Sequence, residues 1–574
     1  MEIQFLGPLG KVTGSCAWMR DTARNWSFLV DCGIQQSEAT AKSWNAGDHW
    51  PFEPRDLKFV LLTHAHVDHC GLIPELYKRG FSGTVYCTKE TEELATLLLK
   101  DAASFPDTPY TLEDVGSVRW HTPNGDTRFG DYHPVDDDLF IRFFPSGHII
   151  GSTSITVLWG PPGGDQRSIV FSGDIGPGSK DHEVLPLLCS SQHPAPANFA
   201  VLESTYGDKN RCVEQRSPEA RRNRLRALLD RVLESNGTAA ITAFAVGRTQ
   251  DIMFDLHHIV ANAPDQYGAI DFVLDSPSAL AVNDITLRAL RKTQTVQHTG
   301  KTFSTWLGKQ LFRELDLDHK NAGDVRSALA ICEMALGTDR VTATRMLSGN
   351  AVARAWRPLF RVAEDRNEEI RQTGNRPRVV LMTSGMGDGG PAAHWLPSLA
   401  RHPRNLIAPS GYCAPSSACG KFLGVMNSSP GDRALRHDEV RWTQPNGDHI
   451  ASLPVAEIKA EVRLLDGYSA HGDQSDLVNW LFHTFKEETD QVMAPTVFLQ
   501  HGEDRQRRAL EDALLQRADD WGLDVDILKP HEPDAWHDLE HAANTTVGRE
   551  EHDRIRRQIQ ALENQLSTMQ RYGS

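Results

Sequence analysis

The chain has 574 residues, 40% of them apolar and 24% charged, with a formal net charge of -16 at pH 7. That length exceeds what one hydrophobic core serves, so two or more domains are expected. The acidic total argues against a protein that coats nucleic acid over its whole surface, but it allows a nuclease whose basic residues and metals are gathered in one cleft. The nine cysteines are scattered without a C-x-x-C pair, which argues against a disulfide framework or a structural zinc knuckle and fits a reducing cytoplasm. Residues 1–6 read as a first strand, with no basic and apolar signal-peptide pattern. No apolar run approaches the ~20 residues that a membrane helix needs.

From residue 1 to about 205, short apolar strands alternate with loops. The run 59–62 leads into His64-Ala65-His66-Val67-Asp68-His69, four metal-type ligands in six residues. Imidazole and carboxylate together are the donors that divalent zinc takes in open catalytic sites. One turn of this kind can aim His64 and His66 at one ion and Asp68 and His69 at a neighbour, so the spacing suggests a dinuclear centre. His148 follows the run 139–144, Asp174 follows 168–172, and Glu203 closes 199–202. Far downstream, His501 follows 496–500. Ligand-type residues thus recur at the carboxyl ends of strands, where sheet proteins gather their sites.

After Glu203-Ser204-Thr205-Tyr206-Gly207-Asp208 the character changes. Ser217-Pro218 opens a helix, with Ser as cap and Pro at its first position, and Gly237 can stop it. Strands at 239–243, 272–274, 379–382 and 406–407 alternate with helices, one of them opened by Asp275-Ser276-Pro277. This pattern predicts a second, α/β domain with a parallel sheet. Residues 285–375 read as mainly helical. Two glycine-rich turns, 384–391 and 411–417, offer backbone N–H groups to a phosphate or serve only as tight turns. Residues 424–464 are polar and turn-rich and read as a return to the first domain. Ser469-Ala470-His471-Gly472-Asp473 and His501-Gly502-Glu503 come next. The tail from about 547 is helical, with an apolar stripe fit for packing on its own chain or on a second subunit.

These residues resemble the metallo-β-lactamase fold, and within it the β-CASP group of nucleases. His64-x-His66-x-Asp68-His69, Ser146-Gly147-His148 and Ser172-Gly173-Asp174 resemble the fold's ligand motifs. Glu203, His471 and His501 stand where the β-CASP motifs A, B and C would place them, and 243–250 and 275–277 resemble further landmarks of the group. Asp388 and residues 414–417 depart from its common loop sequences. The resemblance implies an α/β fold: an αββα sandwich split into 1–205 and 425–545, with an α/β β-CASP domain inserted at 206–424 and a helical tail at 546–574.

The resemblance also implies roles. His64, His66 and His148 would hold one zinc, and Asp68, His69 and His501 a second, with Asp174 between them; manganese is the alternative metal. A metal pair sharing a hydroxide attacks the phosphodiester, and a proton must reach the leaving oxygen. His471 is the candidate donor, oriented by Glu203, so that Asp68, Glu203 and His471 are the catalytic candidates beyond plain ligation. Arg248, Tyr206, Ser384, His394, Ser416 and Ser417 are candidate substrate contacts. The expected substrate is single-stranded RNA, with DNA as the alternative, and a catalytically dead scaffold is the reading from another class. The expected partners are RNA and a second subunit or protein at the C-terminal helix, with no membrane.

Overall fold

The computed structural model describes residues 1–540 apart from 8, 37–40, 124–128, 162–165, 180–181, 184, 190, 193, 195, 296–301, 339–357, 445–447, 487–495 and 533. The expected C-terminal helix lies outside the described residues.

Side chains of a strand alternate between its two faces, and here both faces are apolar. Phe28 and Val30 enter one buried cluster while Leu29 enters another. Phe498 likewise parts from Val497 and Leu499. Such strands need cover on both sides. The first sheet runs, in spatial order, Trp536–Asp538, Glu2–Leu6, Cys16–Asp21, Trp26–Val30, Phe59–Leu61, Thr84–Tyr86 and Trp120–His121. The second runs Asp526–Leu528, Thr496–Gln500, Phe199–Glu203, Arg167–Phe171, Thr153–Trp159, Leu139–Pro145 and His133–Asp136. The two sheets face each other across Phe5, Phe28, Phe59, Phe143, Phe171 and Phe498. The Phe5 and Phe498 rings stand 5.2 Å apart between centroids.

The outer faces are closed by helices. Gln474–Lys486 and Asp504–Trp521 lay Trp480, Leu481, Leu510 and Leu514 on Ala200, Leu202 and Leu499. Ile73, Leu76, Leu94 and Leu99 cover Val60, Leu62 and Val85 on the other side. This is the expected αββα sandwich.

The inserted sheet is parallel throughout, in the order Arg361–Val362, Asp271–Asp275, Arg378–Met382, Thr238–Thr242, Leu406–Pro409 and Glu461–Val462. Helix Pro218–Ser235 opens as its sequence predicts, with Ser217 Oγ accepting from Ala220 N at 3.2 Å. It ends at Asn236, which takes the left-handed conformation at φ 48, one residue before the predicted glycine. Gly237 serves a different need, since a Cβ there would stand 1.9 Å from the Arg404 carbonyl oxygen.

Two expectations need correction. Residues 285–375 contain helices Lys309–Glu314, Ala322–Leu336 and Arg366–Arg371, but also the hairpin of Thr293–Thr295 with Thr302–Ser304 and the edge strand Arg361–Val362. The chain also does not leave the inserted domain at 425. The hairpin Glu439–Thr443 with His449–Pro454 packs Val440, Trp442 and Leu453 on Trp395 and Phe422 of that domain, and Glu461–Val462 extends its sheet. Polar composition there marks exposed hairpin faces and not a change of domain.

A buried ionic cluster joins the two parts next to the site. Arg221 Nε lies 2.9 Å from Asp255, both fully buried, and the Tyr468 hydroxyl donates to Asp255 Oδ2 at 2.8 Å. Tyr468 lies three residues before His471, so the loop bearing that histidine is anchored to helices Pro218–Ser235 and Arg248–Asn262. Among the described residues no helix is long and apolar enough to cross a membrane.

Candidate metal centre

Every expected ligand sits just past the carboxyl end of a strand, and the ligand-bearing strands point to one edge of the sandwich. His64 and His66 follow Phe59–Leu61, while the short helix Val67–Cys70 turns Asp68 and His69 toward the same point. His148 follows Leu139–Pro145, Asp174 follows Arg167–Phe171, and His501 follows Thr496–Gln500.

Ligand atoms of two groups converge within 4.8 Å of one another: His64, His66, His148 and Asp174 in the first, Asp68, His69 and His501 in the second. His66 Nδ1 stands 3.1 Å from His64 Nε2 and 3.0 Å from His148 Nε2. Asp174 divides its carboxylate between the groups. Its Oδ2 is 3.5 Å from both His64 and His148 Nε2, and its Oδ1 is 3.5 Å from His69 Nε2 and 3.7 Å from His501 Nε2. His501 Nε2 is also 3.7 Å from Asp68 Oδ2.

Three imidazole nitrogens meeting at one point cannot satisfy one another with protons. Asp174 Oδ1 and His501 Nε2 are buried without a hydrogen-bond partner. Burial, with neighbouring imidazoles adding to it, holds His64 and His148 well below the usual histidine range. Burial likewise lowers His66 and His501 to about 4. Neutral imidazoles present lone pairs, the form a metal takes. Burial raises Asp174 well above the carboxylate range, and Glu203, Asp68 and Asp31 add to it. A buried carboxylate among neutral imidazoles and other carboxylates is costly by itself, and a cation at its two oxygens offsets that cost. The donor set therefore fits divalent metal, nitrogen-rich on one side and oxygen-bearing on the other.

The far nitrogens of the ligands are held as well. His148 Nδ1 lies 2.8 Å from the Ala470 carbonyl, His501 Nδ1 2.8 Å from Ser15 Oγ, and His69 Nδ1 2.7 Å from Asp31 Oδ2. Burial would lower His69, but Asp31 outweighs it and raises this imidazole. Asp31 also accepts from Thr63 N and Thr63 Oγ1, each at 2.8 Å, which fixes the turn before His64. Sequence reasoning missed Asp31 and Ser15. Asp31 did carry a signal, a carboxylate straight after the apolar strand Trp26–Val30. Asp31→Asn keeps a residue tolerant of the φ of 60 found there but loses the anionic acceptor. Metal affinity is expected to fall by about 10–100-fold, as for other partners of ligating histidines, read by chelator competition.

Glu203 and His471 form a third group with Asp174. His471 Nδ1 is 3.3 Å from Glu203 Oε2, and its Nε2 is 4.0 Å from Asp174 Oδ2. Glu203 accepts from Ile175 N at 2.6 Å. Burial would raise Glu203, but His471 and that N–H outweigh it and lower its pKa. Asp473 does not touch His471. It is gripped by Arg211 at 2.6 Å and locks the neighbouring loop.

Among the expected substrate contacts, the structure brings Tyr206 and Arg248 to this cleft. The Tyr206 ring is 5.7 Å from His471, with Lys209 Nζ 3.8 Å from the Tyr206 ring centroid, and Arg248 acts electrostatically on His66. Ser417 is committed elsewhere: its Oγ accepts from Gly420 N and donates to the Ala414 carbonyl, capping helix Ala418–Leu423. Asp388 Oδ1 accepts from Ala418 N at 2.7 Å, so the two glycine-rich turns hold each other. Ser384 is half-buried in the first turn, Ser416 is exposed in the second, and His394 is exposed on helix Ala392–Leu399 near Arg366.

Three family models match the chain: the Metallo-beta-lactamase superfamily over residues 10–214, the Beta-Casp domain over 249–421, and the Zn-dependent metallo-hydrolase RNA specificity domain over 455–527. Ribonuclease TTHA0252 of Thermus thermophilus is 28% identical over 531 residues, which cover 91% of this chain and 98% of that one. Transcription termination factor FttA of Methanocaldococcus jannaschii is 26% identical over 492 residues, 84% of this chain and 64% of its own, so this chain spans less than two thirds of that relative. The metallo-beta-lactamase fold protein YhfI of Bacillus subtilis is 15% identical, with 36% of this chain and 74% of that one covered at a TM-score of 0.24.

Proposed function

Because the chain belongs to the β-CASP group of the metallo-β-lactamase superfamily and is a metal-dependent phosphodiester hydrolase, we propose that it cleaves single-stranded RNA at a pair of zinc ions. The observation that carries the pairing is the division of Asp174, one oxygen toward His64 and His148 and the other toward His69 and His501. On this reading His64, His66 and His148 hold one ion, Asp68, His69 and His501 hold the other, and Asp174 serves both. Metals bound there supply Lewis acidity and lower the pKa of water.

The chain's own residues do the rest. His471 delivers a proton to the leaving oxygen, and Glu203 fixes its ring through Nδ1, leaving Nε2 turned toward the metal groups. Arg248 and Tyr206 receive the strand. RNA is favoured because the Thermus thermophilus relative is named a ribonuclease and the 455–527 match is to an RNA specificity domain. An acidic protein with one recessed site suits a strand threaded to it better than a rigid duplex. The nine cysteines carry no disulfide, which supports a cytoplasmic setting.

The test is incubation of the purified protein, its zinc and manganese measured, with 5′-labelled single-stranded RNA and the matching DNA. The expected result is RNA cleavage with two metals per chain, and the product lengths then separate internal cutting from removal at the 5′ end. Preferential cleavage of DNA overturns the RNA assignment. No cleavage of either with both metals bound overturns the nuclease and leaves the scaffold.

A further inference from the structure

The two glycine-rich turns gain a reason from what lies against them. Gly385 packs flat on the Phe244 ring, since a Cβ there would stand 2.8 Å from Cδ2 and 2.9 Å from Cε2 and Cγ. Gly411 does the same for Arg248, where a Cβ would stand 2.5 Å from Nη1 and 2.9 Å from Cζ. Phe244 and Arg248 also pack on each other, with the guanidinium carbon 4.9 Å from the ring centroid. A side chain at either glycine would displace the ring or the guanidinium, so both turns are shaped to this pair.

The pair is braced and yet unused within the protein. Phe244 keeps 37% of its surface exposed, and Tyr412, next to Gly411, keeps 62%. Among the described residues no hydrogen bond or ion pair engages the half-buried Arg248 guanidinium, which packs on the Phe244 ring and Gly411. A cation drawn partly out of water without a carboxylate is costly unless a ligand supplies the anion. The pair also abuts the metal centre. Arg248 follows Gly247, where a Cβ would stand 3.4 Å from Ile149 Cγ2, and Ile149 adjoins His148.

We propose that the Phe244 and Tyr412 rings stack an unpaired nucleobase of the substrate while Arg248 grips the phosphate beside it. The inference rests on the RNA reading above and adds to it a single-strand requirement at one position. A base paired in a duplex keeps its faces covered, whereas every unpaired base has a face to offer, whatever its identity.

The test scans an abasic nucleotide along single-stranded RNA. With wild type, KM is expected to rise about tenfold when the gap falls at one position near the cut. Phe244→Leu and Tyr412→Leu are then assayed on intact RNA with metal content recorded. Each is expected to raise KM by several-fold with both metals retained, and in the double variant Phe244→Leu/Tyr412→Leu the abasic position adds no further penalty. A flat abasic scan in wild type overturns the platform without recourse to any variant. So does a full penalty that persists in the double variant Phe244→Leu/Tyr412→Leu. If wild type cleaves no RNA, the substrate reading falls and the platform falls with it; if it cleaves RNA with a flat scan, only the platform falls.

Discussion

Asp174→Ala is expected to lose at least one metal per chain and to slow cleavage by about 10^4-fold or more, roughly 5 kcal/mol of transition-state stabilisation. The size follows from position. Its two oxygens face the two ligand groups, His64 and His148 on one side and His69 and His501 on the other. On the two-metal reading, truncation would remove a ligand from each ion and also the anion between them. The outer partner Asp31 touches only His69 among the ligands, so its loss costs far less. The measurement is metal content by elemental analysis beside single-turnover rates. Asp174→Ala with two bound metals and a rate within tenfold of wild type would falsify the bridging assignment.

His471→Ala is expected to behave differently: both metals stay, and cleavage slows by about 10^2–10^4-fold, the range of a lost general acid. Its Nε2 lies 4.0 Å from Asp174 Oδ2, outside the tight ligand contacts, and its Nδ1 is taken by Glu203. A proton donor leaves a further sign: added imidazole should restore part of the rate. Glu203→Gln, which keeps an acceptor for Ile175 N, should lower the rate without loss of metal. Its pH dependence has a definite sign. The Glu203 carboxyl is held below its usual range, so the negative charge that orients His471 is present at neutral pH and is lost only as pH falls through that lowered value. Loss of metal in His471→Ala would make this histidine a ligand instead.

The ligands were legible because each is a polar residue of unusual type placed straight after an apolar strand, and the chain repeats that arrangement at His64, His148, Asp174, Glu203 and His501. Asp31 obeys the same rule, but a single aspartate after a strand is also an ordinary turn residue, and only proximity to His69 distinguishes it. Ser15 carries no local signal at all, because its role is set by a histidine 486 residues away. The end of the inserted domain was misplaced since composition reports exposure, whereas membership of a sheet depends on pairing between Leu406–Pro409 and Glu461–Val462. The glycine turns were visible as turns. Their purpose was not, because a missing side chain says nothing about which neighbour fills the space.

Strand Phe199–Glu203 pairs in parallel with Thr496–Gln500 from Phe199 opposite Thr496 to Glu203 opposite Gln500, and Ser204 Oγ donates to the carbonyl of Gln500, 296 residues further along the chain. During synthesis, then, His501 cannot join the other ligands until the whole insertion has left the ribosome. At about 5–20 residues per second that interval is roughly 15–60 s. Throughout it the nascent chain holds every ligand of both groups except His501. On the RNA reading, a protein built in this order stays inert through that interval of its synthesis.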